Sequence, residues 1–260
     1  MKGYAGKLLY RVWVYQRYVH GTLLGGIVVA LLILVPVHAA AAVLLAPTVL
    51  SSPGGGPGLG FVASATELLL VFITVFMVAS YAGDLSGGGG QLFLSQPLSR
   101  AGYAAAWLVA TVATPCLVYA LSLALPLLII DPRLLSALGL WNLMRAVLEV
   151  AEWGAFLFLL ATVSRSRALV VILGLFAELL LPWILLLPMA LFAVVPGTPP
   201  YSVRVFATVY VVLYPSKYSF FSQGGAVLVG PGAAAAEAST LMAAYAVAAL
   251  LYAKERMEVV

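Results

Sequence analysis

Ionisable side chains that interrupt long apolar runs are where this sequence could carry chemistry: His38, Glu67, Arg145, Glu149, Glu152 and Glu178. In hydrocarbon a charged side chain costs on the order of a few kcal/mol, so such residues mark pathways, proton relays or ion pairs. With a rise of about 1.5 Å per residue, Glu67 and Arg145 fall about two turns from the same end of their runs and could pair between helices. Arg145 and Glu149 are also spaced i, i+4, with Glu152 three residues further on, so a bridge within one helix competes. Glu178 stands near the middle of its run, four residues before Pro182 and without a cation on its own helix. It either lines a polar conduit or, when protonated, hydrogen-bonds across helices.

Metal and hydrolytic chemistry fit poorly. His38 and His20 have no ligand partner at i, i+3 or i, i+4, and no metal site is expected. Cys116 is the single cysteine, so one chain can build neither a disulfide nor a cysteine-based metal site. A serine nucleophile elbow is absent, and Glu149 and Glu152 lack the histidines of a metalloprotease. The run Gly87 to Gly90 is followed by Gln91 and Leu92, whereas a Walker loop needs Lys and Ser/Thr there to reach phosphate and magnesium. No catalytic residue and no cofactor is expected on this chain, and it is read as a non-enzyme.

The elements that must position these residues follow from composition. The chain is 64% hydrophobic and 8% charged over 260 residues, against about a quarter charged in soluble domains. This is the composition of an all-α integral membrane protein. The net charge of +4 is spread over the ends of the apolar runs rather than gathered on a soluble surface, which argues against nucleic-acid binding. About 20 apolar residues are needed per crossing, and about six runs qualify, near 22–46, 61–83, 102–130, 138–163, 168–195 and 234–253. Pro36, Pro115, Pro126, Pro182 and Pro188 lie inside them and are expected to kink or break their helices.

Ahead of the first run, residues 1–21 place Leu8, Val12, Tyr15 and Val19 on one helical side and Lys7, Arg11 and Tyr18 on the other. This is a basic amphipathic helix suited to the membrane interface and to lipid headgroups, or else a solvated extension of the first span. Lys2, Lys7, Arg11, Arg17, Arg100, Arg165, Arg167, Lys254 and Arg256 fall on one side of the six-span layout, with Arg133, Arg204 and Lys217 on the other. The positive-inside rule then puts both termini in the cytoplasm. The whole of 1–260 reads as a single transmembrane domain, multi-pass in the plasma membrane. An outer loop over 196–233 carries short interfacial or re-entrant elements around Val203 to Leu213, with helix against strand left open by its Val and Tyr content.

The connection between the second and third runs reads DLSGGGGQLFLSQPLSR over Asp84 to Arg100. Its glycines and Pro97 loosen the backbone, so it cannot stay in hydrocarbon and belongs in water at a membrane face. From its residues alone it is a Gly-rich connection between helices. Its order, an acid, a small-residue patch, a short Leu-rich segment and a Pro-apolar-Ser-Arg close, also resembles the ABC-2 type permease family of ABC exporters. It departs from that pattern at Gly87 to Gly90, where the family commonly has one Gly followed by Thr and an acid. The basic turn SRSRA at Ser164 to Ala168 and the charged ending after LLYAK are similar to the family's second cytosolic connection and its tail.

The resemblance implies that the 84–101 loop is a cytosolic coupling element that docks on a separate ATPase subunit. Asp84, Gln91, Leu92, Phe93, Leu94, Pro97 and Arg100 are then the coupling residues, with ATP and magnesium on the partner subunit. It further implies a dimer, with the same or a similar permease chain, and a path lined by the first, second and fifth spans. The function expected on this basis is that of a permease subunit of an ATP-driven export system. An ion-coupled secondary transporter or channel would instead use Glu178, Glu67 and His38, but such folds often carry an inverted repeat, and the two halves here show no convincing self-similarity. A membrane anchor or assembly protein for an ATPase is the remaining alternative. The Ala, Val, Leu and Gly of the spans suit an apolar or amphipathic cargo better than a small hydrophilic ion.

Overall fold

A computed structural model describes residues 2–51, 57–87, 100–185, 187, 205, 209, 210, 213 and 231–256. Apart from Gly87, Asp131, Gly139, Arg165 and Ser166 these residues are helical, with no strand among them. We number the helices α1 (Lys2–Ser51), α2 (Pro57–Ser86), α3 (Arg100–Ile130), α4 (Pro132–Leu138), α5 (Leu140–Ser164), α6 (Arg167–Leu185) and α7 (Pro231–Arg256). Six of them contain segments long and apolar enough to cross a membrane: Gly25–Pro47, Ala65–Ser86, Arg100–Ile130, Ala146–Ser164, Arg167–Leu185 and Ala235–Glu255. This is the architecture of a multi-pass membrane protein. The segments coincide with the six apolar runs to within a few residues, except that the fourth begins later and the fifth is described only to Leu185, with Leu187 beyond it. Of the expected interfacial helix over 1–21, residues 2–21 run into the first span without a break, since Lys2 to Ser51 form one helix. Within the expected 196–233 loop only Val205, Val209, Tyr210, Leu213 and the start of α7 are described, and each is helical.

The prolines act unequally. α1 continues through Pro36 and α3 through Pro126 in α form. At Pro115 and Pro182 the preceding turn is instead π-helical, over Val109–Ala113 and Phe176–Leu180. Proline lacks a donor and its ring crowds the carbonyl four residues back, which here belongs to Thr111 and Glu178. A wider π turn moves that carbonyl aside without ending the helix. Pro188, the last of the prolines expected to kink a span, lies outside the described residues.

Lipid tails compete with apolar side chains on equal terms, so close backbone approach and hydrogen bonds decide how such helices associate. Two glycines show this. A Cβ on Gly154 of α5 would stand 3.1 Å from Val112 Cγ2 and 3.4 Å from Thr111 O, against the first π turn. One on Gly174 of α6 would stand 3.0 Å from Leu157 Cδ2 and 3.1 Å from Val75 Cγ2. α5 is thus packed against α2, α3 and α6, and α7 lies along its remaining side.

Two short connections are set by side-chain chemistry. Asp131 accepts from the Arg133 backbone N–H at 2.9 Å and, with Pro132 in the first turn, starts α4; acid followed by proline is a helix-start signal. Between α5 and α6, Arg165 takes the left-handed conformation (φ 52°) and its N–H bonds Ala161 O at 2.9 Å. Ser166 then caps α6 by accepting from Leu169 N–H at 3.3 Å, which makes Ser164 to Arg167 a tight reversal.

Candidate functional site

The helix ends that carry Asp84 and Arg165 form one polar and aromatic platform. Tyr81 of α2 stacks on Phe158 of α5, with centroids 4.5 Å apart and planes 13° from parallel. It also contacts Trp107 of α3 at 5.5 Å. Its hydroxyl lies 3.4 Å from that of Thr162, which in turn donates to Phe158 O at 2.7 Å. One turn closer to the loop, the buried Tyr103 of α3 donates its hydroxyl to the carboxylate of Asp84 on α2. The Gly87 N–H closes the end of α2 on Gly83 O at 2.8 Å.

Gly83 ties this platform to the other connection. A Cβ there would overlap the guanidinium of Arg167, so the side chain from the first turn of α6 lies directly on the α2 backbone at this point. The two ends of the 84–100 connection and the 164–167 reversal are therefore in contact. The expected docking residues Gln91, Leu92, Phe93, Leu94 and Pro97 lie outside the described residues. Asp84 and Arg100 frame them, at the end of α2 and the start of α3.

Deeper in the bundle the polar residues divide into two groups. His38, only 1% exposed, joins three helices. Its Nδ1 lies 2.7 Å from Ser122 O of α3 and its Nε2 2.6 Å from Thr66 Oγ1 of α2, while the Thr66 hydroxyl reaches Val62 O at 2.8 Å. A buried imidazole with both nitrogens engaged is a structural joint between spans. Glu67, next along α2, is also buried. Its expected pairing with Arg145 depends on a side chain outside the described residues.

The second group surrounds a cleft. Glu152, Trp153 and Phe156 of α5 line it, faced by Ala177 and Leu181 of α6, Tyr245 of α7 and Leu213. Its volume is about 90 Å³, and it is open on one side. Trp153 and Phe156 meet edge to face at 5.5 Å and 88°, and Phe156 meets Tyr245 at 5.5 Å and 64°. These rings form a continuous aromatic wall from α5 to α7. Glu152 is 5% exposed and lines the cleft together with Tyr245.

Glu149 and Glu178 are buried nearby but are not among the lining residues. Glu178 belongs to the π turn of α6, where its neighbour Ala177 reaches the cleft. The cleft draws on the fourth, fifth and sixth spans, not on the first and second spans that the resemblance implies as lining. Sequence reasoning identified Glu152 but missed Trp153, Phe156 and Tyr245. The i, i+3 and i, i+4 spacing of Trp153 and Glu152 to Phe156 was a usable signal, whereas nothing local pairs Tyr245 with them. Among the described residues no group of three or more metal-ligating side chains is assembled. Comparisons with known proteins add nothing to this geometry: no family model matches the chain, and no curated protein matches it.

Proposed function

We propose that the chain is a permease subunit of an ATP-driven ABC export system, working as a dimer with the same or a similar chain and bound to cytosolic ATPase subunits. The observation that carries this reading is the junction of both connections at one end of the bundle. Asp84 is held by Tyr103 and Gly83 is crossed by Arg167, so a push on the 84–100 connection reaches α2, α3 and α6 together. That is what a segment transmitting work from a motor must do, and it agrees with the resemblance of this stretch to the ABC-2 coupling element. Docking then falls to Gln91, Leu92, Phe93, Leu94 and Pro97, with Arg100 as a cation at the interface.

In this mechanism the permease breaks no bond. ATP binding and hydrolysis, with magnesium, take place on the partner and shift the permease between inward and outward states. The platform of Tyr81, Trp107 and Phe158 gives the moving ends a rigid connection. Orientation with both termini in the cytoplasm, and residence in the plasma membrane, belong to the same reading.

The test is purification of the tagged chain from native membranes in mild detergent, beside a variant with Phe93→Asp and Leu94→Asp, with bound proteins identified by mass spectrometry. The reading expects a Walker-containing subunit on the native chain and its loss from the variant. Absence of any ATPase under conditions that keep oligomers together contradicts it.

A further inference from the structure

We infer that α3 and α6 carry matched hinges at one level of the bundle, that the hinge in α6 lets its far segment swing, and that the His38 joint latches its counterpart in α3. The inference does not depend on the export reading, which only gives the motion a use: opening the end of the bundle away from the platform.

The two helices share one layout. Each is entered through Ser-Arg-Ala, at Ser99 to Ala101 and at Ser166 to Ala168. From the arginine, 9 residues run in α form to Leu108 and to Leu175. The 5 residues of a π turn follow, Val109–Ala113 and Phe176–Leu180, and the prolines at 115 and 182 stand just beyond them. Both π turns also meet the same turn of α5. Val112 and Thr111 lie against Gly154, while Ala177 borders the cleft with Trp153 and Phe156.

A hinge needs a compliant point beside a firm body. Proline and π turns are where helices bend sharply, and here both occur together because the proline ring displaces the carbonyl of Thr111 or Glu178. No proline or π turn interrupts α5, and α2 has none beyond its first residue, so Pro57–Ser86 and Leu140–Ser164 form the firm post. The near segments are fixed to this post. Tyr103 bonds Asp84, Trp107 contacts Tyr81, and Gly174 packs on Leu157 and Val75.

The far segments differ. That of α3 is held to α2, since Ser122 O contacts His38 Nδ1 and His38 Nε2 contacts Thr66 Oγ1. That of α6 is apolar, with Trp183, Ile184 and Leu187 exposed, and it has no counterpart of the His38 joint among the described residues. With a rise of about 1.5 Å per residue, a bend of about 20° moves Leu187 by about 4 Å and Ile129, at the end of α3, by about 8 Å.

The purified full chain with Cys116→Ala is reconstituted in nanodiscs without an ATPase, and distances between nitroxide-labelled cysteines are measured by pulsed electron resonance. Ile172→Cys with Phe76→Cys reports the near segment of α6. Leu187→Cys with Leu68→Cys reports its far segment, and Ile129→Cys with Leu68→Cys that of α3; each position is exposed. The near pair and the α3 pair should give narrow distributions, and the α6 far pair one broader by about 4 Å. Pro182→Ala should narrow the α6 far pair to the width of the near pair. His38→Leu with Thr66→Val should broaden the α3 pair by about 8 Å, and adding Pro115→Ala should reverse this.

An α6 far pair as narrow as the near pair, or one unchanged by Pro182→Ala, overturns the hinge. An α3 pair unchanged by loss of the joint overturns the latch. If Pro182→Ala does not fold, the width of the native far pair against the near pair decides; if the His38 and Thr66 double variant does not fold, Thr66→Val alone replaces it. No motor is present in this measurement, so absence of an ATPase in the purification experiment leaves its result intact. A retained ATPase with a rigid α6 removes the hinge and keeps the exporter.

Discussion

The hydroxyl of Tyr103 donates to the carboxylate of Asp84, so a residue in the last turn of α2 and one in the first turn of α3 are bonded across the base of the connection between them. A hydrogen bond to a charged group contributes about 1.5–3 kcal/mol. Tyr103→Phe should lower thermal stability by about that amount at most and, on the proposed exporter reading, leave the partner ATPase bound while weakening the link between motor and spans. Transport measured against ATP hydrolysis in proteoliposomes reports this: hydrolysis persists and transport falls. A variant that transports normally removes Tyr103 from the transmission.

Gly83 gives a steric counterpart. Gly83→Ala places a methyl group in the Arg167 guanidinium, and the long side chain must leave. Arg167 is exposed at the helix end and can swing away, so the expected cost is modest, about 1 kcal/mol. Adding Arg167→Ala should restore the native melting temperature if the overlap is the whole effect. A double variant no more stable than Gly83→Ala would mean that the α2 backbone itself rejects the methyl group.

The His38 joint predicts an asymmetry. Thr66→Val leaves a buried imidazole nitrogen facing an apolar group, and hydrogen bonds between membrane helices average roughly 0.6 kcal/mol, up to about 2. Replacing both partners, His38→Leu with Thr66→Val, removes that unmet demand but uncovers another: Ser122 O loses its contact with His38 Nδ1, and Pro126, four residues on, has no N–H to offer it. The double variant should therefore be less stable than Thr66→Val. Unfolding in mixed micelles measures both. A double variant as stable as Thr66→Val would show that the Ser122 contact contributes nothing to the joint.

Outside the apolar segments, Asp131 is held below the usual carboxylate range, first by the Arg133 side-chain hydrogen bond and then by the Arg133 backbone N–H. Its folded-state pKa is depressed, so its contribution is fully present above the ordinary value of about 3.9. It is lost as pH falls through the lower, folded value. The pair is solvent-exposed, so its effect on global stability is small. Asp131→Ala should unwind the start of α4 at neutral pH, and hydrogen exchange at Leu134 and Leu135 reads this directly. Protection unchanged from the native chain would mean that packing, not the cap, holds α4.

Hydropathy made the six spans legible because about 20 apolar residues have few alternatives to crossing a membrane. The reversal at Ser164–Arg167 was equally open to reading, as two serines and two cations between apolar runs. α4 was missed although Asp131-Pro132 marks its start, since seven residues carry too little periodicity to stand out. The prolines at 115 and 182 signalled disturbed helices, but not that a π turn would absorb each one. His38 lacked a sequence-local ligand partner, and its partners Thr66 and Ser122 come from other helices. The cleft was least legible: Glu152 was visible as a misplaced charge, yet Tyr245 joins it only through tertiary packing of α7 on α5.

The coupling claim is tested most directly by placing a photocrosslinking phenylalanine analogue at position 93 in the native host, with Leu44, an exposed apolar residue of α1, as the control position. After irradiation of intact membranes, the crosslinked protein is identified by mass spectrometry. The account predicts that position 93 captures a Walker-containing ATPase and that position 44 does not. Crosslinking at position 93 to lipid alone, or to the same proteins as position 44, would contradict it.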